Sequence, residues 1–162
     1  MITLINEDLR MALLEQWTHE SLNANIYLYV GGFLKNKGLD HLASFFIGQY
    51  SEELEHAKII FDLLTDLSAS ITLLEIDKVD FPINSIMDIA QKFLEREIIT
   101  TESLDEIKKL AIDTNNPVVE ERMREMIKAQ QKEYEEATGF MDHAELTGNN
   151  WFNVLLWDLG EK

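Results

Sequence analysis

The sequence predicts an all-α protein, an antiparallel four-helix bundle with one long crossover connection between its second and third helices. Four stretches of about 28 residues repeat apolar side chains at intervals of three and four, which is the helical period. The 162 residues include only seven Gly and two Pro, as expected of a mostly helical chain. A segment without helical period, residues 68–84, separates the second stretch from the third.

Capping signals set the expected ends of the first two helices. The first should run over residues 7–36, because Asn6 can cap its start and Gly38 can adopt a left-handed conformation past its end. The second should cover residues 39–67. Each helix of this length is roughly 42 Å long at 1.5 Å per residue.

The later helices carry equally clear start signals. Ser85 and Asp88 have capping-box spacing ahead of the third helix. Asn116 followed by Pro117 marks the start of the fourth helix, which should stop near Gly148. Short connections join the first helix to the second and the third to the fourth, so each pair should be an antiparallel hairpin.

The crossover segment is long enough to run the length of the bundle. Seventeen residues can extend about 55–60 Å. A connection of this length in a compact domain normally has a purpose. We expect it to let the second hairpin begin at the end of the bundle where the first hairpin began.

Composition excludes several classes of function. Acidic residues outnumber basic ones by 30 to 14, and a net charge of −16 repels nucleic acid and anionic membranes but attracts cations. The absence of Cys excludes a disulfide framework, a thiolate zinc site and an iron–sulfur cluster. No uncharged apolar run is long enough to span a membrane, and the N-terminal residues lack the pattern of a signal peptide, so a cytoplasmic location is expected.

A polar residue of the kind that binds metals interrupts the apolar stripe of every predicted helix at a similar height. Charges rarely lie on a core face unless they are paired or bound to a metal. Crowded carboxylates must be neutralised by protons or cations, so four coincident interruptions predict one shared metal site. The interrupting residues are Glu20 in the first helix, Glu53 and His56 in the second, Glu97 in the third, and Gln130 and Glu133 in the fourth.

Glu53 and His56 form an ExxH motif on the second helix. Residues three apart share one helix face, so the carboxylate and the imidazole can bind the same ion. Carboxylates with imidazole and without thiolate suit iron or manganese, although zinc could compete. Such half-sites on facing helices are typical of di-iron centres in helical bundles.

The segments HESLNANIYLY, QYSEELEHAKIIFDLLTD, FLEREIITTESLDEI and QQKEYEE resemble those of bacterial non-haem ferritins. The resemblance extends from Asn6 to about Leu146. It implies a ferritin-like bundle that acts as a ferroxidase, oxidising Fe(II) with dioxygen or hydrogen peroxide. It also implies storage of ferric mineral in a hollow homo-oligomeric shell of twenty-four subunits.

The resemblance also implies roles for the polar residues of the stripes. Two irons per subunit would lie at an intrasubunit centre, with Glu53 as the ligand that bridges them. A neighbouring Tyr27 would have either a redox role or a core position with a hydrogen bond. The expected ligands are Glu20, Glu53 and His56 for one iron, Glu97 for the other with Gln130 nearby, and Glu133 as a further acid.

Departures from related families narrow the prediction. Bacterioferritins carry a second ExxH motif where this chain has Gln130 and Glu133, and their haem-ligating Met corresponds to Leu54, so no haem is expected. Rubrerythrins append a CxxC iron domain, which a chain without Cys cannot form.

A third iron site of some bacterial ferritins is in doubt in this chain. That site uses acids of the fourth helix where this chain has Ala129 and Lys132. Glu52 could still contribute to it.

Other interpretations of the same pattern stay open at the level of sequence. A non-storage di-iron oxidase or peroxidase would use the same bundle with an organic substrate, and would need a pocket beside the metals. A purely structural bundle would keep its buried acids protonated. We expect His19, His41 and His143, which lie off the stripes, to be ordinary exposed residues.

The predicted bundle with its metal site occupies residues 1–148, and residues 149–162 form a short C-terminal helix. This tail is strongly apolar, as in WFNVLLW. We therefore expect it to lie at a subunit interface, with packing against its own subunit as the alternative.

Overall fold

The computed structural model describes residues 4–161. This part of the chain is all-α and contains no strand. None of its helices is both long enough and apolar enough to cross a lipid bilayer. The helices are α1 (Glu7–Asn36), α2 (Asp40–Asp66), α3 (Ile86–Asp113), α4 (Pro117–Leu146) and α5 (Trp151–Gly160).

All the helices named above except α2 begin after a residue whose side chain caps them. Asn6 Oδ1 accepts a hydrogen bond from the backbone N–H of Leu9 at 2.8 Å. Ser85 and Asp88 form a complete capping box at the start of α3. Gly38 has a φ of +78° in the turn after α1, which confirms the predicted left-handed position.

The second hairpin begins at the other end of the bundle from the one that the sequence predicted. The start of α3 packs in the same apolar cluster as the turn between α1 and α2, so it lies at the opposite end of the bundle from Glu7. The expectation that both hairpins begin at one end is therefore wrong. The reason is geometric: α2 ends where α1 began, and a connection that runs the bundle's full length delivers the chain to the far end.

The crossover lies against α1 and is held there by side-chain donors. Tyr29 Oη donates to the carbonyl of Phe81 at 2.6 Å, and Arg10 Nη1 donates to the carbonyl of Ser70 at 2.9 Å. The crossover forms no helix or strand, so these bonds supply hydrogen-bond donors to backbone carbonyl groups that lack them within the segment.

The core consists of two apolar clusters with a polar layer between them. One cluster lies around Phe46 and Phe93, and the other around Leu13 and Leu64. The buried polar residues of the helix middles fall between the two clusters. The core therefore stabilises the bundle from both ends and fixes the helix positions around that layer.

The short helix α5 packs one face on the bundle and exposes the other. The Asp158 carboxylate accepts from the backbone N–H of Leu42 at 2.8 Å and so caps the start of α2 from a distant part of the chain. Trp157 packs against Phe140 with ring centroids 4.9 Å apart. Packing on the same subunit thus accounts for one face of the tail, and the residues left exposed are Phe152, Leu155, Leu156 and Leu159.

Replacing Asp158 with Ala should loosen the first turn of α2, because Leu39 supplies no side-chain cap of its own. Loss of a capping acceptor costs about 1 kcal/mol. We expect faster amide hydrogen exchange in a peptide covering residues 40–45. Asp158→Asn keeps an acceptor oxygen and should retain most of the protection, and the exposed Asp142→Ala is the matched control. Equal exchange in all three variants would contradict the assignment.

Candidate metal centre

The polar layer receives side chains from all four long helices. Glu20, Glu53 and Glu97 are fully shielded from solvent, although each lies on a long helix whose other face is hydrated. The ordinary helical period places each of them on the stripe that packs inward. The side chain of His56 is 20% exposed and lies at the edge of the layer.

Three of the predicted ligands come together as one cluster. Glu20, Glu53 and His56 each offer a ligand atom, and these atoms lie within 4.8 Å of one another. The His56 Nδ1 atom is 3.6 Å from Glu53 Oε2 and 3.8 Å from Glu20 Oε2, which is ion-pair range rather than hydrogen-bond range. Gln16 fixes Glu20 from the adjacent turn by donating to its Oε1 atom at 2.9 Å.

Glu97 lies on the α3 side of the layer and is held by two donors. Tyr27 Oη donates to Glu97 Oε1 at 2.5 Å, and Gln130 Nε2 donates to Glu97 Oε2 at 2.5 Å. The Tyr27 ring packs edge-on against Phe93, which fixes the direction of its hydroxyl. Burial, with the charges of Glu97 and Glu53, raises the pKa of Tyr27 well above its usual value, so this phenol remains a donor.

Several carboxylate oxygens of the layer are buried and have no hydrogen-bond partner among the described residues. These are Glu20 Oε2, both oxygens of Glu53, and Glu133 Oε2. A buried acceptor without a donor costs on the order of 1–3 kcal/mol, so four of them in one layer require another stabilising ligand. Hard oxygen donors beside one imidazole are the ligand set that iron and manganese prefer. The residues present therefore fit the predicted ions.

Without a cation, protons neutralise the cluster. Burial raises the pKa of Glu53 far above its usual value, and the neighbouring Glu20 carboxylate adds to this. Burial opposes charge at Glu20 too, but its contacts with Glu53 and His56 outweigh burial and lower the pKa of Glu20 to about 2. The same two carboxylates overcome the burial of the imidazole and raise the pKa of His56 to about 11. A metal ion would displace these protons.

A second acidic cluster lies beside the first and includes Glu133. Ligand atoms of Glu52, Glu133 and Glu136 lie within 4.8 Å of one another. Gln49, which is also buried, donates from Nε2 to Glu136 Oε2 at 2.8 Å. Burial and the carboxylates of Glu52 and Glu136 raise the pKa of Glu133 to about 8. Glu136, one turn beyond Lys132, was missed from the sequence because it lies off the stripe.

A polar network joins α1 to α3 behind the metal cluster. Arg96 Nε donates to Asn23 Oδ1 at 2.7 Å, and Arg96 Nη2 lies 2.8 Å from His19 Nδ1. His19 Nε2 is 2.6 Å from the Thr100 hydroxyl. The prediction that His19 is exposed is therefore wrong, because Arg96 reaches across from α3 and covers it; His41 and His143 are exposed as expected. Burial lowers the pKa of His19 to about 4, so the imidazole is neutral beside the guanidinium.

A small cavity adjoins the metal cluster between α2 and α4. Its volume is about 140 Å³. Pockets for organic ligands usually measure about 300–1,000 Å³. The side chains that line the cavity are Glu20, His56, Ile59, Leu104, Arg122, Glu125, Met126, Ala129 and Gln130.

A four-helix bundle with a long crossover and carboxylates and an imidazole at its centre defines the ferritin-like class of helical proteins. Residues 11–147 match the ferritin-like domain family. The chain belongs to the ferritin family, as its sequence motifs predicted. Membership supports iron storage and ferroxidase activity in general terms.

Individual relatives agree with this assignment. The chain is 23% identical over 155 residues to a bacterial non-heme ferritin of Campylobacter jejuni, covering 96% of this chain and 93% of that protein. It is 30% identical over 110 residues to a bacterial non-heme ferritin of Staphylococcus saprophyticus, covering 67% of this chain and 65% of that protein.

Solved structures share the fold. An open pore ferritin from the archaeon Archaeoglobus fulgidus superposes with a TM-score of 0.91 at 21% sequence identity, covering 98% of this chain and 96% of that one. This likeness confirms the predicted all-α fold with its short fifth helix.

The raised pKa of Glu133 predicts how the stability of the metal-free protein depends on pH. A carboxyl group with a raised pKa stabilises the fold fully below its unfolded value of about 4.5 and loses that contribution as pH rises through about 8. Glu133→Gln should match the parent protein near pH 4.5 and exceed its free energy of unfolding by on the order of 1 kcal/mol above pH 8.

Chemical unfolding of chelator-treated protein across this pH range measures the effect. The exposed Glu135→Gln, on the same helix, removes the same charge and should leave the pH dependence of the parent protein unchanged. A Glu133→Gln curve parallel to that of the parent protein would show that this carboxyl group is already ionised at low pH.

Proposed function

We propose that the chain is a ferritin subunit with ferroxidase activity, which oxidises Fe(II) at an intrasubunit dinuclear centre and stores the ferric product. The observation that carries the proposal is the Glu53 carboxylate, which is fully buried and whose two oxygens find no hydrogen-bond donor within residues 4–161. Glu20 and His56 lie on one side of it. A carboxylate in this position is suited to bridge two cations.

The proposed metal ligands divide between the two irons. Glu20, Glu53 and His56 would bind the first iron, and Glu97 would bind the second together with Glu53. Gln130 and Tyr27 would position Glu97 through the hydrogen bonds that they donate to it. Glu133 would supply a further acid near the second iron, because the charge of Glu97 is close enough to contribute to its raised pKa.

The reaction needs two electrons for each oxidant molecule. Each Fe(II) gives up one electron, so two irons reduce one dioxygen, which takes up two protons and leaves as hydrogen peroxide. With hydrogen peroxide as the oxidant, two electrons and two protons yield two water molecules. Anionic oxygen ligands stabilise the more highly charged ferric product, which favours the forward reaction.

The alternative of a non-storage oxidase or peroxidase needs room for an organic substrate. The cavity beside the cluster, at about 140 Å³, is smaller than the pockets that bind such molecules. The acidic composition of the chain instead suits a cation as the substrate.

Storage requires an assembly with an interior. We propose that copies of this chain form a hollow shell of twenty-four subunits, in which the apolar face of α5 packs at a subunit interface. Leu156 and Phe152 on this face are more than half exposed in the single subunit, and burial of such side chains stabilises association.

Aerobic addition of Fe(II) tests the proposal. The parent protein should oxidise Fe(II) faster than buffer alone, and the iron should co-elute with a shell-sized species in size-exclusion chromatography. Glu53→Ala removes the proposed bridging ligand and should lower the initial rate by at least about tenfold.

The exposed Glu55→Ala lies two residues away on α2 and serves as the matched control, with the rate of the parent protein expected. Metal analysis of the three purified proteins should show loss of bound iron in Glu53→Ala alone. A small species that leaves the oxidation rate at the level of buffer would refute the proposed function.

A further inference from the structure

The cavity beside the metal cluster connects the protein surface with a buried carboxylate. Glu20 and Gln130 form its inner end and are buried, whereas Arg122 and Glu125 lie at its outer end and are exposed. The Oε2 atom of Glu20 has no hydrogen-bond partner among the described residues, so it can bind an ion beside the cavity. His56 also lines the cavity, and the apolar part of its wall is formed by Ile59, Leu104, Met126 and Ala129.

We propose that this cavity admits dioxygen to the metal centre, whereas Fe(II) reaches the centre along the separate acidic flank of Glu52, Glu133 and Glu136. The inference rests on the proposed ferroxidase function. It deepens that function by naming dioxygen as the oxidant and by giving the two substrates different routes.

The lining of the cavity favours a small apolar molecule. Its walls offer hydrocarbon and thioether groups, which cannot replace the water shell of a divalent cation. Apolar cavities of roughly 150 Å³ take up gases such as xenon, and the apolar part of this wall offers a gas the same kind of contact. Dioxygen has the same apolar character, whereas hydrogen peroxide would lose its hydrogen bonds to water on entering.

The charged residues at the mouth of the cavity do not attract cations. Arg122 Nη1 lies 3.3 Å from Glu125 Oε2, so the acid at the mouth is already paired. The pair is neutral overall, so the mouth offers an approaching Fe(II) ion no electrostatic attraction, and a neutral gas needs none.

The acidic flank has the opposite character. Its three carboxylates have ligand atoms within 4.8 Å of one another, and one of them, Glu133, has a buried oxygen with no hydrogen-bond partner in the described part of the chain. Gln49 donates to Glu136 from below and keeps that carboxylate in place. A hydrated cation can exchange its water molecules for these oxygens stepwise on its way to Glu97.

Filling the mouth of the cavity tests the proposal without changing a proposed ligand. Ala129 is exposed at the cavity wall, so Ala129→Leu can cover the opening without overpacking the core. Ala129→Ser keeps the side chain small and is the matched control. Crystals of the metal-free proteins pressurised with xenon should show a xenon atom in the cavity of the parent protein and the control, and none in Ala129→Leu.

Two solution measurements then separate the routes. Anaerobic stopped-flow mixing of the metal-free proteins with Co(II), followed by its visible absorption, should give the same binding rate within twofold for all three proteins. Stopped-flow mixing of Fe(II)-loaded protein with buffers of varied dioxygen concentration should give a second-order rate constant at least about fivefold lower for Ala129→Leu.

Each result decides the question. Unchanged dioxygen kinetics in Ala129→Leu, or a parent cavity that takes up no xenon, would overturn the proposal. Slower Co(II) binding in Ala129→Leu would also overturn it, because the cavity would then be the route of the cation. If the parent protein does not oxidise Fe(II) faster than buffer, the proposed ferroxidase function is wrong. The xenon and Co(II) measurements do not depend on this activity, so they still show whether the cavity admits a gas and whether a cation uses it.

Discussion

The structure depends on carboxylates from different helices that meet in one buried layer. Two like charges 4 Å apart repel by about 4 kcal/mol at an effective dielectric constant of 20, and burial adds its own cost. Protons carried by Glu53 and His56 neutralise the cluster when no cation is bound. The apolar clusters at both ends of the bundle supply the stability that makes such a layer tolerable. Folding and metal chemistry are therefore linked, since a cation that binds the layer also stabilises the bundle.

The carboxylates of the layer differ in how firmly the protein holds them. Glu97 is fixed by Tyr27 and Gln130, and Glu20 is fixed on one oxygen by Gln16. Glu53, which lies among them, accepts no hydrogen bond from any residue that the structure describes. This gradient suits a centre whose outer ligands keep their positions while the central carboxylate adapts to one or two ions. Behind the layer, Arg96 joins α1 to α3 and so fixes the relative position of the helices that carry Glu20 and Glu97.

Local signals predicted the helices closely, because capping involves residues three or four positions apart. The first helix has the predicted bounds, and the second is one residue shorter at each end than predicted. The same local signals could not predict that Asp158 caps α2, because that hydrogen bond joins residues 116 positions apart. The direction of the second hairpin was mispredicted for a similar reason, since it depends on where the crossover ends in space.

The sequence alone determined which polar residues share a face and a height, because the helical period is a property of the chain itself. This information was sufficient to predict the metal ligands and to recognise the resemblance to the family. Only the tertiary structure decided how the set divides, with Glu20, Glu53 and His56 in one cluster and Glu133 in another beside Glu136. It also decided that His19 is covered and that a cavity reaches Glu20. Distances between side chains on different helices depend on packing and rotamers, which no spacing along one chain specifies.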